Sequence, residues 1–95
     1  MRTSIEPMKP IDRVRAAIRF QKTDRPPVIP ELIAVTATMA GVSPKEYVRS
    51  GRLIAECQLD ARRKIGHDAL FAMADLCVEA EAVGCAISFP EDNYP

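Results

Sequence analysis

Three residues have side chains and positions that suggest chemistry: Asp75, Cys77 and Glu31. Asp75 follows an unbroken apolar run at residues 69–74, which is typical of a parallel strand buried on both faces. Parallel sheets and barrels place catalytic groups at the carboxyl ends of their strands, where a carboxylate can accept hydrogen bonds or transfer a proton. We therefore assign Asp75 as a catalytic residue. Cys77 lies two residues further on and is expected to line the same mouth as a substrate-binding residue.

Glu31 is the second substrate-binding candidate, because it follows a short strand predicted at residues 28–30. Each carboxylate also has a structural alternative. Asp75 suits the turn after a strand, where Asp side chains bond to the backbone, and Glu31 suits a helix N-terminus, where the helix dipole favours negative charge. Glu79 and Glu81 are two residues apart and would diverge on a helix, so we interpret them as solvent-exposed.

No metal or cofactor site is predicted within this sequence. His67 is the single histidine, and we interpret it as a residue at a helix C-terminus, where a partly charged imidazole is favoured. The three cysteines, Cys57, Cys77 and Cys85, lack the spacing of a zinc site and include no CxxC pair. No P-loop, GxGxxG, GxSxG or HExxH motif occurs in the sequence.

The composition describes a neutral, globular chain of 95 residues, of which 47% are hydrophobic and 27% charged. Thirteen basic residues balance thirteen acidic ones, so neither nucleic acid nor an anionic membrane is expected as a partner. An odd number of cysteines without CxxC predicts free thiols in a cytoplasmic protein. The N-terminus lacks the apolar run of a signal peptide, and no segment approaches the roughly 20 apolar residues of a membrane span.

The elements that must position these residues begin with a helix at Pro10. Its apolar residues form one stripe and its arginines lie largely off that stripe; the stripe is Ile11, Val14, Ala17 and Ile18, and the arginines are Arg13, Arg15 and Arg19. A second helix is favoured within residues 31–40. Ser43, Pro44 and Glu46 form a capping-box pattern, which predicts a short helix that ends at about Arg49.

A longer helix is predicted over residues 52–65, with Gly66 as its stop and a buried face formed by Ile54, Cys57, Ala61 and Ile65. A helical turn is expected at residues 79–83, and residues 85–89 indicate one arm of a hairpin. Residues 31–66 are long enough to cross between two parallel strands. The predicted fold class is therefore α/β, with residues 1–9 as a flexible leader and residues 10–95 as the opening portion of a larger, incomplete fold.

Four segments together resemble the N-terminal part of the uroporphyrinogen decarboxylase superfamily. They are residues 13–18 (RVRAAI), 24–30 (DRPPVIP), 41–48 (GVSPKEYV) and 75–84 (DLCVEAEAVG), and the likeness extends over residues 11–92. The resemblance implies a (β/α)8 TIM barrel, of which a chain of this length supplies the first quarter to third. It also implies that Asp75 takes the position of an aspartate that contacts the pyrrole N–H groups of a tetrapyrrole, which charge-assisted hydrogen bonding favours.

One departure from the family pattern points to a particular branch. The decarboxylases carry an arginine-bearing segment after the first strand, whereas residues 31–40 contain no arginine. The sequence is therefore more similar to the corrinoid-dependent methyltransferases, which move a methyl group between methylcobalamin and a thiol such as coenzyme M. That resemblance implies a small-molecule or corrinoid substrate. It also implies zinc and methylcobalamin in a full-length relative, with a His and two Cys as zinc ligands beyond residue 95.

Three functions are compatible with the sequence. The first is the N-terminal segment of such a methyltransferase, inactive as an isolated chain. The second is the corresponding segment of a uroporphyrinogen decarboxylase. The third is a stand-alone small protein that acts by self-association, because exposed strand edges invite pairing with a second copy. The same edges predict a homo-oligomer.

Overall fold

A computed structural model describes residues 6–91 and residue 93 of the chain. Within this part five α-helices form, joined by turns and extended segments: α1 (Pro10–Ile18), α2 (Val35–Met39), α3 (Pro44–Val48), α4 (Gly51–Ile65) and α5 (Val78–Ala82). Residues 1–5 of the predicted leader lie outside the described residues, so the leader stays a prediction.

The α/β fold class predicted from the sequence, with its opening strands of a TIM barrel, is wrong for this structure. No strand occurs in residues 6–91 or at residue 93, so the strands expected at residues 28–30, 69–74 and 85–89 are absent. Residues 85–89 form no hairpin arm. Instead they lay Phe89 against the helical core and beneath Arg49, whose guanidinium carbon lies 5.3 Å from the centre of the ring.

The missing strands have a physical reason in the backbone hydrogen bonds. A strand needs a ladder of such bonds to a neighbour. In the described part of the chain, one backbone hydrogen bond joins the segment at residues 28–30 to the segment that leads into residues 69–74. It runs from the Asp68 N–H to the Val28 carbonyl at 2.8 Å. The N–H of Met73 bonds to the carbonyl of Phe71 (3.0 Å), a three-residue turn that bends the apolar run. The apolar run is therefore irregular and forms no strand.

Helix α1 buries a different face from the one that its apolar stripe predicts. Pro10 occupies the first turn, as expected. Ile11 and Ile18 are 53% and 72% exposed, however, whereas Arg13 and Ala16 are buried. The prediction that Arg13 lies off the buried face is wrong, because two carboxylates from other parts of the chain bond to its guanidinium. Charge pairing over long sequence distances decides which face of α1 turns inward.

The chain leaves α1 through Phe20, which has a φ of 57°. That left-handed conformation is costly for a residue with a Cβ atom and is the usual position of a glycine after a helix. The Phe20 N–H bonds to the Ala17 carbonyl at 3.1 Å, and the Gln21 N–H bonds to the Ala16 carbonyl at 2.9 Å. The Phe20 side chain is 99% exposed, so no packing offsets the strain.

The predicted N-cap of α3 and the predicted stop of α4 are confirmed. The Ser43 hydroxyl accepts a hydrogen bond from the Glu46 N–H (3.2 Å), and the Glu46 carboxylate accepts one from the Ser43 N–H (3.4 Å), which completes the capping box. The Ser50 hydroxyl accepts a bond from the Leu53 N–H and caps α4. Gly66 ends α4 in the left-handed conformation, with a φ of 80°.

The core lies where α2 and α3 pack against α4 and against each other. Its buried residues are Ala37, Tyr47, Val48 and Cys57, and the partly buried residues against them are Ile33, Val42, Ile54 and Phe89. The predicted inward face of α4 is confirmed at Cys57 and Ala61 and is wrong at Ile65, which is 52% exposed. The five-residue helices α2 and α3 are too short to cover all fifteen residues of α4.

Helices α1 and α5 stand apart from this core. Among the described residues, neither contacts another helix. Helix α5 confirms the helical turn expected at residues 79–83, beginning one residue earlier, and none of its residues is buried. Helix α1 is held instead through Arg13, which bonds to Asp24 and Asp68, and α5 is joined to the preceding segment through the Asp75 turn.

Candidate functional site

Asp75 ends the extended segment that follows α4, and it is buried with 3% of its surface exposed. Its Oδ1 atom accepts a hydrogen bond of 2.6 Å from the Cys77 N–H, which fixes the turn that begins α5. Asp75 therefore has the structural role that was its alternative, since its side chain bonds to the backbone of the turn that follows it. This bond engages one of the two carboxylate oxygens of Asp75.

The other two candidates have different environments. Cys77 occupies the N-cap position of α5 and is half-buried, next to the Asp75 turn. Glu31 is exposed, and it does not cap a helix because α2 begins at Val35 with Ala34 as its N-cap. Glu79 and Glu81 are exposed on α5, as expected.

Tyr47 and Gln58 connect the segments that carry Glu31 and Asp75. The Gln58 amide Nε2 donates to the Leu32 carbonyl (2.5 Å) and to the Tyr47 hydroxyl (3.0 Å). The Tyr47 hydroxyl donates in turn to the Met73 carbonyl at 3.4 Å. Leu32 adjoins Glu31 in sequence and Met73 lies two residues before Asp75. The structure thus ties both candidate segments to one buried pair of side chains.

The segments that carry Glu31 and Asp75 also meet at their first residues, Val28 and Asp68. The Asp68 N–H donates to the Val28 carbonyl (2.8 Å), and its Oδ2 accepts from the Val28 N–H (2.7 Å). The two segments therefore run side by side in the same direction. They are joined directly at their first residues and through Tyr47 and Gln58 near their last.

A buried ion network surrounds this first junction. Arg13 donates through Nη1 to Asp68 (2.5 Å), and through Nε and Nη2 to both oxygens of Asp24 (2.7 Å each). Arg25 donates to Asp68 through Nη1 (2.7 Å) and Nη2 (3.2 Å). The Met8 N–H donates to Asp24, and the Met8 carbonyl accepts a hydrogen bond from Arg13. Two arginines and two aspartates balance, so no net charge is left in the network.

The hydrogen bonds of the network shift its pKa values. The Val28 N–H and the Arg25 guanidinium, followed by Arg13, lower the pKa of Asp68 to about 2. The Arg13 guanidinium, helped by the Met8 N–H, holds the pKa of Asp24 well below its usual range. The same pairing raises the pKa of Arg13, so Arg13, Asp24 and Asp68 stay charged at neutral pH.

Sequence reasoning missed this network, although a signal for it existed. Arg13 interrupts an apolar stripe, and Asp24 and Arg25 immediately precede two prolines. Asp68 directly precedes the apolar run. Charged residues so close to apolar segments are rarely buried unless they are paired, and four of them with balanced signs indicate mutual pairing.

His67 and the cysteines form no metal centre in the part of the chain that the structure describes. His67, which follows the Gly66 stop as expected, is 3% exposed, and its Nδ1 has no hydrogen-bond partner among those residues. No group of three or more His, Cys, Asp or Glu residues within residues 6–91 and 93 is arranged to hold a metal ion. Burial raises the pKa of the Cys57 thiol. The same residues include no helix long and apolar enough to cross a membrane.

A buried carboxylate, Asp75, closes one segment, and the segment that carries Glu31 runs beside it. Residues 9–95 match the family model described as Uroporphyrinogen decarboxylase (URO-D), and the chain belongs to that family. The superfamily resemblance seen in the sequence is thereby confirmed. The family folds as a TIM barrel. No curated protein and no solved structure matches the chain.

Proposed function

We propose that the chain is the N-terminal segment of a corrinoid-dependent methyltransferase of the uroporphyrinogen decarboxylase family. Its reaction would move a methyl group between methylcobalamin and a thiol. The observation that supports this branch is the surface formed by residues 31–40. That stretch has no arginine, and the exposed residues of α2 are Val35, Thr38 and Met39. A porphyrinogen with many carboxylates would meet no positive charge there.

Asp75 has the central role in this proposal. In TIM-barrel enzymes, residues at the carboxyl ends of the strand segments do chemistry, and residues at the amino ends contribute to stability. Asp75 closes its segment, whereas the ion-paired Asp68 opens it. The Cys77 N–H holds one oxygen of Asp75, so the carboxylate is already oriented when a substrate donor reaches Oδ2. Cys77 and Glu31 would contact the substrate beside it.

The described residues do not fit a zinc site, since they bring no three suitable ligands together. The proposal therefore assigns no step to zinc on this chain. Methylcobalamin would supply the methyl group, and Asp75 would accept a hydrogen bond or a proton from the substrate. For the same reason we expect the isolated chain to transfer no methyl group. Methyl transfer by the purified chain with zinc, methylcobalamin and coenzyme M would contradict this expectation.

The decisive experiment restores the rest of the enzyme. The full 95-residue chain is co-expressed with the complementary C-terminal part of a family methyltransferase, and methyl transfer from methylcobalamin to coenzyme M is measured. We expect activity, and a loss of about 100-fold in Asp75→Asn, the order of effect seen when one preorganised polar group is removed. Glu79→Gln makes the same charge change on exposed α5 and should leave the rate unchanged.

Other outcomes would favour the alternatives. Decarboxylation of uroporphyrinogen by the complemented enzyme, with no methyl transfer, would support the decarboxylase function. A stable homodimer of the chain that excludes the complementing part would support self-association through its extended segments. The coding sequence after Pro95 offers a further test, because the proposed branch requires a His-x-Cys segment there.

A further inference from the structure

We infer that Tyr47 and Gln58 are positioning residues that set the place of Asp75 relative to the Glu31 segment. The inference rests on the proposed role of Asp75 in the site. Neither residue lies on the segments that carry the site candidates, since Tyr47 lies on α3 and Gln58 on α4. They act on it through two backbone carbonyls, those of Leu32 and Met73.

The direction of the hydrogen bonds explains why this pair is needed. The carbonyls of Leu32 and Met73 are both acceptors and cannot bond to each other. Gln58 supplies two amide protons, one to Leu32 and one to the Tyr47 oxygen, and Tyr47 passes its own single proton to Met73. Each of these protons has one acceptor. Loss of either side chain therefore breaks the connection between the two segments.

The surroundings of the pair indicate that its polar atoms serve the connection. Tyr47 is 0% exposed and Gln58 is 2% exposed, beside a core of Ala37, Val48 and Cys57. Polar groups in such a place are costly unless they are hydrogen-bonded, and Phe or Met would fill the same space without that cost. With no sheet among the described residues, the two segments depend on side chains to hold their far ends together.

The test uses Tyr47→Phe and Gln58→Met in the full chain, with the core substitution Cys57→Ala as the matched control. Backbone amide resonances are compared by ¹H–¹⁵N NMR. We expect the Tyr47 and Gln58 variants to shift the amides near Leu32 and from Met73 to Cys77. Cys57→Ala should lower stability and leave those amides in place. If Tyr47→Phe does not fold, Gln58→Met still tests the connection.

The complemented enzyme gives the second readout. A displacement of about 1 Å at a reacting group costs up to ~100-fold in rate, so both variants should lower kcat more than they raise KM. The double variant should be no worse than the single variants, because the two residues act as one unit. Additive losses, or the same amide shifts in Cys57→Ala, would overturn the inference. Amide shifts without any methyl transfer would refute the proposed function and support the positioning role.

Discussion

Replacement of Asp68 by Asn tests whether the buried ion network holds the two segments together. The Asp68 side chain is fully buried and accepts bonds from Arg13, from two nitrogens of Arg25 and from the Val28 N–H. Asparagine has nearly the same shape but no charge, and its amide nitrogen would face other donors. Arg13, whose side chain is 6% exposed, would then keep Asp24 as its one charged partner in the network.

The expected loss of stability follows from this burial. Removal of one partner from a buried ion pair costs about 3–5 kcal/mol. The lower end, about 3 kcal/mol, applies here because the Arg25 side chain is 44% exposed and can turn to water. A chain of this size has a total stability of about 5–15 kcal/mol, and each kcal/mol moves the Tm by about 4–8 °C. We therefore expect Asp68→Asn to lower the Tm by roughly 12–24 °C.

Thermal unfolding followed by circular dichroism measures this effect, with Asp60→Asn as the control. Asp60 pairs with Lys64 at 2.8 Å on the exposed side of α4, where such a pair contributes less than about 0.5 kcal/mol. The control should change the Tm by less than about 4 °C. Equal Tm values for the two variants would refute the reasoning, because the buried network would then contribute no more than a surface ion pair.

Three further predictions concern the same fold. The pKa of Asp68 is lowered from 3.8 to about 2, so its contribution to stability is complete above about pH 4 and is lost as the pH falls toward 2. In an acid titration, Asp68→Asn should therefore lose less stability than the natural chain over this pH range. Phe20→Gly should raise stability by roughly 0.5–1 kcal/mol in urea unfolding, because it relieves a left-handed φ at an exposed site. Ser43→Ala should cost about 1 kcal/mol in the same assay through loss of the capping box; an unchanged midpoint in either variant would contradict its prediction.

The sequence predicted the helices well where the signals are local. Ser43 and Glu46 cap α3 through bonds that span three residues, and Gly66 ends α4 through its own backbone conformation. Such features depend on neighbours in the chain and can be inferred from spacing alone. The inward face of α1 depends instead on Asp24 and Asp68, which are 11 and 55 residues away from Arg13. An apolar stripe carries no information about such partners.

For the strands and the site, too, local features were predicted and contacts between distant residues were not. An apolar run such as residues 69–74 predicts burial and an extended backbone, but a strand also requires a neighbour to bond with. Without that neighbour the predicted burial on both faces is wrong, since none of residues 69–74 is buried. The sequence predicted a carboxylate at the end of that run, and the structure buries it there, while its catalytic role stays a prediction. The sequence gives no local signal for the bonds of Tyr47 and Gln58, because their carbonyl partners are 26 residues away.

The attachment of α1 has a consequence for how the molecule responds to temperature. Charged groups hold α1 through Arg13, while apolar side chains hold α2 and α3 to α4. Burial of apolar surface dominates the heat-capacity change of unfolding, so the docking of α1 contributes little to it. The desolvation penalty of ion pairs also falls as temperature rises. One short chain thus combines a helical core whose apolar packing weakens on cooling with an N-terminal helix whose ion-paired attachment becomes less costly on heating.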